Sequence, residues 1–178
     1  IYILLVSIVI IYFVKYLSGS KSTKNIAQTS IAVITILVIT FNLVNMDANK
    51  EMDRFSDKFY SVESNEELRM KLEEALNNGK PTMVYFTADW CVSCRGLERN
   101  TFSDQSLQAK IGNIQALKVD LTDNSSEDQL LIKNYAIFGP PTILFFDSEG
   151  KEQKNRRKIG VVSADILKDE IDSLENKS

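Results

Sequence analysis

Histidine is absent from this 178-residue chain, cysteine occurs twice and proline three times, and no aspartate or glutamate appears before Asp47. The first two shortages narrow the metal chemistry. Zinc usually takes four Cys or His ligands, and two cysteines with no histidine do not supply such a set. The shortage of acid divides the chain. Before Asp47 the only charges are Lys15, Lys21 and Lys24; from Asp47 onward lie all 24 acidic residues and the other 18 of the 21 basic ones. That acidic balance argues against nucleic acid as the main partner, because a phosphate backbone asks for a basic surface. There is no initiator Met and no basic leader before the first apolar run, so the start reads as a cut inside a longer protein and not as a secretory signal. No internal repeat and no low-complexity tract is present.

What the first part has instead is apolar length. Asn25 to Met46 carries no charge, and Ile31–Phe41 is almost purely Ile, Val, Leu, Thr and Ala. A bilayer core about 30 Å thick needs about 20 helical residues. Its β-branched residues favour strands in water, but in lipid an isolated strand cannot satisfy its own backbone, so a helix is expected. Residues 26–46 therefore read as a transmembrane helix, and 1–17 as a truncated one. The loop around 18–29, with its lysines, is expected on the cytoplasmic side, since short positive loops stay there. Everything after Asp47 then lies across the membrane.

Residues 47–62 read as a polar linker and 63–178 as a folded domain. Ser64-Asn65-Glu66-Glu67 has the form of a capping box. Leu68, Leu72, Ala75 and Leu76 follow at helical spacing until Gly79. Met83–Thr87 reads as a strand, and the stretch from Cys91 as a helix with Leu97 and Phe102 on its inner side. Ile114–Asp120 reads as a second strand, and Ser126 caps a helix through Tyr135. Thr142–Phe146 and Lys158–Val162 complete the strands, and Ser163 caps a last helix bearing Ile166, Leu167, Ile171 and Leu174. The order α-β-α-β-α-β-β-α predicts parallel pairing first and antiparallel edge strands last.

Both cysteines lie in Cys91-Val92-Ser93-Cys94. Residues three apart on a first helical turn are neighbours. A thiol opening a helix meets free backbone N–H groups and the positive end of the dipole, which favour the nucleophilic thiolate. Cys91 has that place, and Cys94 is one turn in, where it can attack a mixed disulfide formed at Cys91. A structural bridge is a competing reading, although a four-residue loop removes little chain entropy. Inert buried thiols are another, with Asp89, Trp90 and Ser93 suggesting a surface instead.

Ala88-Asp89-Trp90-Cys91-Val92-Ser93-Cys94 resembles the W-C-x-x-C motif of thioredoxins, and more narrowly that of the C-terminal domain of the DsbD family of membrane thiol:disulfide interchange proteins. Thr101-Phe102-Ser103-Asp104 follows at that domain's spacing, and Gly139-Pro140-Pro141-Thr142-Ile143-Leu144-Phe145-Phe146 resembles its second motif. The resemblance covers about 55–175. It implies an α/β thioredoxin-like fold, a central mixed sheet flanked by helices, preceded here by transmembrane helices. It implies a cis bond before Pro141 and a groove at Pro140 and Pro141 where a partner's extended segment docks. Trp90 would cover the site and touch partners. Thioredoxins commonly have a buried Asp six residues before the first Cys; Tyr85 stands there, with core packing as its expected role. Glu98 matches an acid of the DsbD domain and could take the Cys94 proton or raise the cysteine pKa values; an exposed ion pair with a neighbour such as Arg95 is the alternative.

The implied function is a protein-disulfide reductase domain in a bacterial inner membrane, facing the periplasm, with no bound cofactor beyond the redox-active cysteine pair. Its electron donor would be the membrane domain of the same full-length protein and its acceptors periplasmic disulfide-bearing proteins or domains. A membrane-tethered reductase for cytochrome c maturation and a non-catalytic thioredoxin-fold binding module remain as alternatives.

Overall fold

The structure, a computed structural model, describes residues 58–175 and, apart from them, 36, 37 and 39–41. The chain divides into two compact units, Ile1–Ala48 and Asn49–Ser178. In the first, Ile36, Leu37 and Ile39 to Phe41 are helical. The two expected membrane segments otherwise lie outside the described residues, and among the described residues no helix is long and apolar enough to cross a membrane.

The second unit is built on a five-stranded sheet. Its strands are β1 (Tyr60–Val62), β2 (Thr82–Thr87), β3 (Gln115–Asp120), β4 (Thr142–Phe146) and β5 (Lys158–Ile159), in the order β1-β3-β2-β4-β5. β1, β3 and β2 are parallel; β4 is antiparallel to both β2 and β5. Both faces are covered, which is why β2 and β4 are apolar almost without alternation. Met83, Tyr85, Ile143 and Phe145 enter one core with Leu97, Phe102, Leu107, Leu167 and Ile171. Val84, Phe86, Leu144 and Phe146 enter the other with Leu68, Leu117, Val119 and Leu131.

Helix α1 (Asn65–Asn77) starts where its cap was expected, with the Ser64 hydroxyl accepting from the Glu67 amide at 3.2 Å. The reciprocal half differs: the Glu67 carboxylate accepts from the Glu63 amide at 2.8 Å, one residue earlier than a capping box requires. The helix closes with the Lys80 amide on the Ala75 carbonyl and the Gly79 amide on that of Leu76, and Gly79 takes φ +61°. That left-handed position is the reason for glycine there.

Several expectations are corrected. The linker expected through 62 ends in a strand, β1, which owes its form to pairing with β3 and has only Val62 buried. The helix expected from Cys91 past Leu97 to Phe102 is two pieces, α2 (Val92–Leu97) and a π-helical turn (Glu98–Phe102), and an unexpected helix, α3 (Gln105–Ile111), capped by Asp104, follows. Helix α4 (Ser126–Asn134) is capped by Ser125, one residue before the expected Ser126, because Ser125 and Asp128 bond each other's backbone reciprocally. β5 is shorter than predicted, and β4, with β5 beyond it, is internal. α5 (Ala164–Glu175) buries Leu167, Ile171 and Leu174, while Ile166 is exposed.

Candidate active site

The site lies at the sheet end where β2 and β3 finish and β4 begins. β2 delivers the chain into Ala88-Asp89-Trp90, and α2 starts at once. The Asp89 amide donates to the Thr122 hydroxyl at 2.8 Å, and Trp90 Nε1 to the Thr122 carbonyl at 3.3 Å. These bonds tie the β2–α2 loop to the β3–α4 loop. Arg95 reaches back to the Asp89 carbonyl.

Cys91 is the N-cap of α2, with extended backbone, and its Sγ accepts from the Cys94 amide at 3.1 Å. The two sulfurs are bonded and the Cα atoms are 5.2 Å apart. Cys91 is 6% exposed and Cys94 1%. The helix end therefore offers the first sulfur an N–H donor aimed at it, the arrangement that stabilises a thiolate on reduction.

Large apolar side chains stand open on either side of Cys91 in the chain, and another precedes the two prolines. Trp90 is 59% exposed and Val92 73%, and Phe138, two residues before Pro140, is 91% exposed. The Pro140–Pro141 peptide is cis, as the resemblance implies. In the β2–β4 register Phe86 faces Thr142, so the next step sets Pro141 across from Thr87, at the strand end that leads to Cys91. The Pro141 carbonyl is taken by the Gly160 amide at 2.9 Å and the Gly139 carbonyl by the Thr142 hydroxyl at 2.6 Å.

Glu98 and Tyr85 meet. The Tyr85 hydroxyl lies 3.2 Å from Glu98 Oε1 and 3.1 Å from Thr87 Oγ1, which is itself 3.3 Å from Glu98 Oε1. Lys118 Nζ, from β3, is 4.0 Å from the same oxygen. Tyr85 packs edge-on against Phe59 and Phe102, the core packing expected of it, while its hydroxyl meets Glu98. Glu98 does not pair with Arg95, which is turned to Asp89. Sequence reading missed Thr87, Lys118 and the Tyr85 hydroxyl. Alternation along β2 does set 85 and 87 on one face, but nothing in the sequence shows that Glu98 comes over it. On the Trp90 side a cleft of about 530 Å³ is lined by Glu63, Asp89, Asp120, Asp123 and Asp128, with Lys118. Among the described residues no group of acidic and Cys side chains is arranged to hold a metal ion.

A strand–CxxC–helix unit facing a cis-proline at the end of a mixed five-stranded sheet matches a family model. Residues 68–175 match the thioredoxin-like domain, and the chain belongs to that family. Cys91 and Cys94 are accordingly the redox-active pair of a disulfide oxidoreductase domain. Within the family, the likeness is to DsbD. The thiol:disulfide interchange protein DsbD of Actinobacillus pleuropneumoniae is 34% identical over 161 residues, 85% of this chain and 27% of that protein. Its counterpart from Salmonella paratyphi A is 41% identical over 106 residues, 60% of this chain and 18% of that protein. The oxidised C-terminal domain of Neisseria meningitidis DsbD superposes with a TM-score of 0.55 and 27% identity, covering 67% of this chain and all of that one. The chain thus spans about a quarter or less of the curated relatives it matches.

Proposed function

We propose that this chain is the disulfide-reducing end of a DsbD-like membrane electron conduit, held by the apolar segments before Asp47 with its thioredoxin-like domain on the periplasmic side. The observation that carries the reading is Cys91 at the start of α2, its sulfur on the Cys94 amide and open apolar side chains on either side of it in the chain. The Cys91 thiolate attacks one sulfur of a partner's disulfide; a Cys91–partner bond forms and the partner's other sulfur leaves as a thiolate. Cys94 gives up its proton to Glu98 and attacks Cys91 Sγ. The Cys91–Cys94 bond forms, and the partner's second sulfur departs with the electron pair. The partner has gained two electrons and the domain has lost two. Trp90, Pro140 and Pro141 border the docking groove. A dithiol in the membrane part of the full-length protein restores the reduced pair; periplasmic disulfide proteins or domains are the acceptors.

The test is the reduction potential of the chain, equilibrated in dithiothreitol buffers and read by thiol alkylation. A value between about −200 and −280 mV supports the reductase. A value below about −300 mV marks a structural bridge, and one near about −120 mV an oxidant.

A further inference from the structure

Glu98 opens the π-helical turn after α2, and its amide meets the carbonyls of Cys94 and Arg95, so it stands one turn beyond Cys94. Its side chain is only 11% exposed. Tyr85, Thr87 and Lys118, from two neighbouring strands, converge on a single carboxylate oxygen, Oε1. The oxygens of Tyr85, Thr87 and Glu98 form a closed triangle with two hydroxyl protons, and both serve the carboxylate directly or through the other hydroxyl. These three contacts all use Oε1 and none uses Oε2.

Resting on the disulfide-exchange reading, we propose that Tyr85 is a positioning residue for the reaction: with Thr87 and Lys118 it holds the Glu98 carboxylate in one orientation, so that Oε2 takes the proton of Cys94 as Cys94 attacks Cys91. The S–H bond of Cys94 breaks, its electron pair forms the bond to Cys91 Sγ, and the pair of the mixed disulfide leaves on the partner's sulfur. A tyrosine six residues before Cys91 thus acts through a carboxylate supplied by the far end of the cysteine helix.

The surroundings suit this role. Tyr85 is fully buried, and its aromatic neighbours give the ring no second place to lie. Burial pushes its phenol far above the ordinary value; the Thr87 bond works against that and the Glu98 charge adds to it, so the hydroxyl remains a donor. Lys118 from β3 is the charged side chain seen against Glu98; the charge of Asp120, also on β3, acts on Tyr85, and the Arg95 guanidinium on α2 is turned to the Asp89 carbonyl. β4, paired with β2, carries no charge.

Tyr85→Phe removes one oxygen and keeps the ring. Reduced chain is mixed with oxidised glutathione from about pH 4 to 9, and the rate at which Cys94 releases glutathione from Cys91 is followed. A hydroxyl that donates to a carboxylate favours its ionised form. Its loss moves the acid-side midpoint of the profile up, a drop of up to about tenfold in rate below the midpoint. Thr87→Val moves it the same way by less. Glu98→Gln removes that midpoint, and Tyr85→Phe added to it gives no further shift. A Tyr85→Phe profile that superimposes on the wild type, or a shift that persists in the Glu98→Gln background, overturns the inference. Should Tyr85→Phe not fold, Thr87→Val decides alone, an unchanged profile overturning it. Wild-type chain that fails to reduce glutathione at any pH sinks the exchange reading and this inference with it; exchange with an insensitive profile sinks only the latter.

Discussion

Reducing the Cys91–Cys94 bridge should leave the fold almost as stable as before. The bridged residues are separated by three positions. In the chain-entropy description, closing a loop of about four residues removes about 6 cal/mol/K from the unfolded ensemble, or about 2 kcal/mol at 25 °C. The folded state recovers part of this on reduction. The Cys94 amide already points at Cys91 Sγ from 3.1 Å, and a hydrogen bond to a charged acceptor contributes about 1.5–3 kcal/mol. The oxidised and reduced forms should therefore differ by less than about 2 kcal/mol, a minor part of the roughly 5–15 kcal/mol typical of a domain. Urea unfolding of the oxidised and the dithiothreitol-reduced chain, followed by far-ultraviolet circular dichroism, measures the difference. A loss of about 4 kcal/mol or more, as for a bridge closing a long loop, would refute the reasoning and make the disulfide a staple. A small difference is what a pair that cycles at every turnover needs, since each reduction would otherwise loosen the site that presents it.

Three further outcomes are expected. Glu170 accepts from Arg156 and Lys158, both at 2.6 Å; burial pushes its carboxyl up, but the two bonds outweigh that and hold it below its ordinary value. Its contribution is complete above the unfolded value of 4.5 and is lost as pH falls through the lower folded value. Glu170→Gln should thus cost about 2 kcal/mol near pH 7, a gap that closes in acid when both proteins are unfolded in urea across pH. Asp128→Ala breaks the reciprocal cap with Ser125 and should cost about 1 kcal/mol by the same assay, with exchange kinetics unchanged. Phe102→Ala empties a fully buried place between Phe59 and Tyr85, with ring centroids 5.3 and 5.0 Å away, and should cost about 4 kcal/mol, seen as a lowered thermal midpoint.

Local chemistry made much of the domain readable. Ser64 and Gly79 bracket α1 because a hydroxyl cap and a left-handed glycine act within a few residues of where they stand. β2 and β4 are readable because a strand covered on both faces must be apolar throughout. The cysteine pair announces itself through a three-residue spacing after a strand, which sets one sulfur at a helix start whatever surrounds it. β1 left no such signal: three residues with one buried side chain become a strand only because β3 offers a free edge. The break after α2 into a π-helical turn was not read from the sequence either: Leu97 and Phe102, five residues apart, would fall about 140° apart on a regular α-helix, and the wider turn brings both into one core. The part of Glu98 was legible as proximity to Cys94 along a helix, and no further. That its carboxylate passes over β2 to Tyr85 and Thr87, and within 4.0 Å of a lysine from β3, was decided by the crossing of helix and sheet. Spacing along a chain sets neighbours within one element, whereas the partners of a buried charge come from whichever elements tertiary packing lays against it.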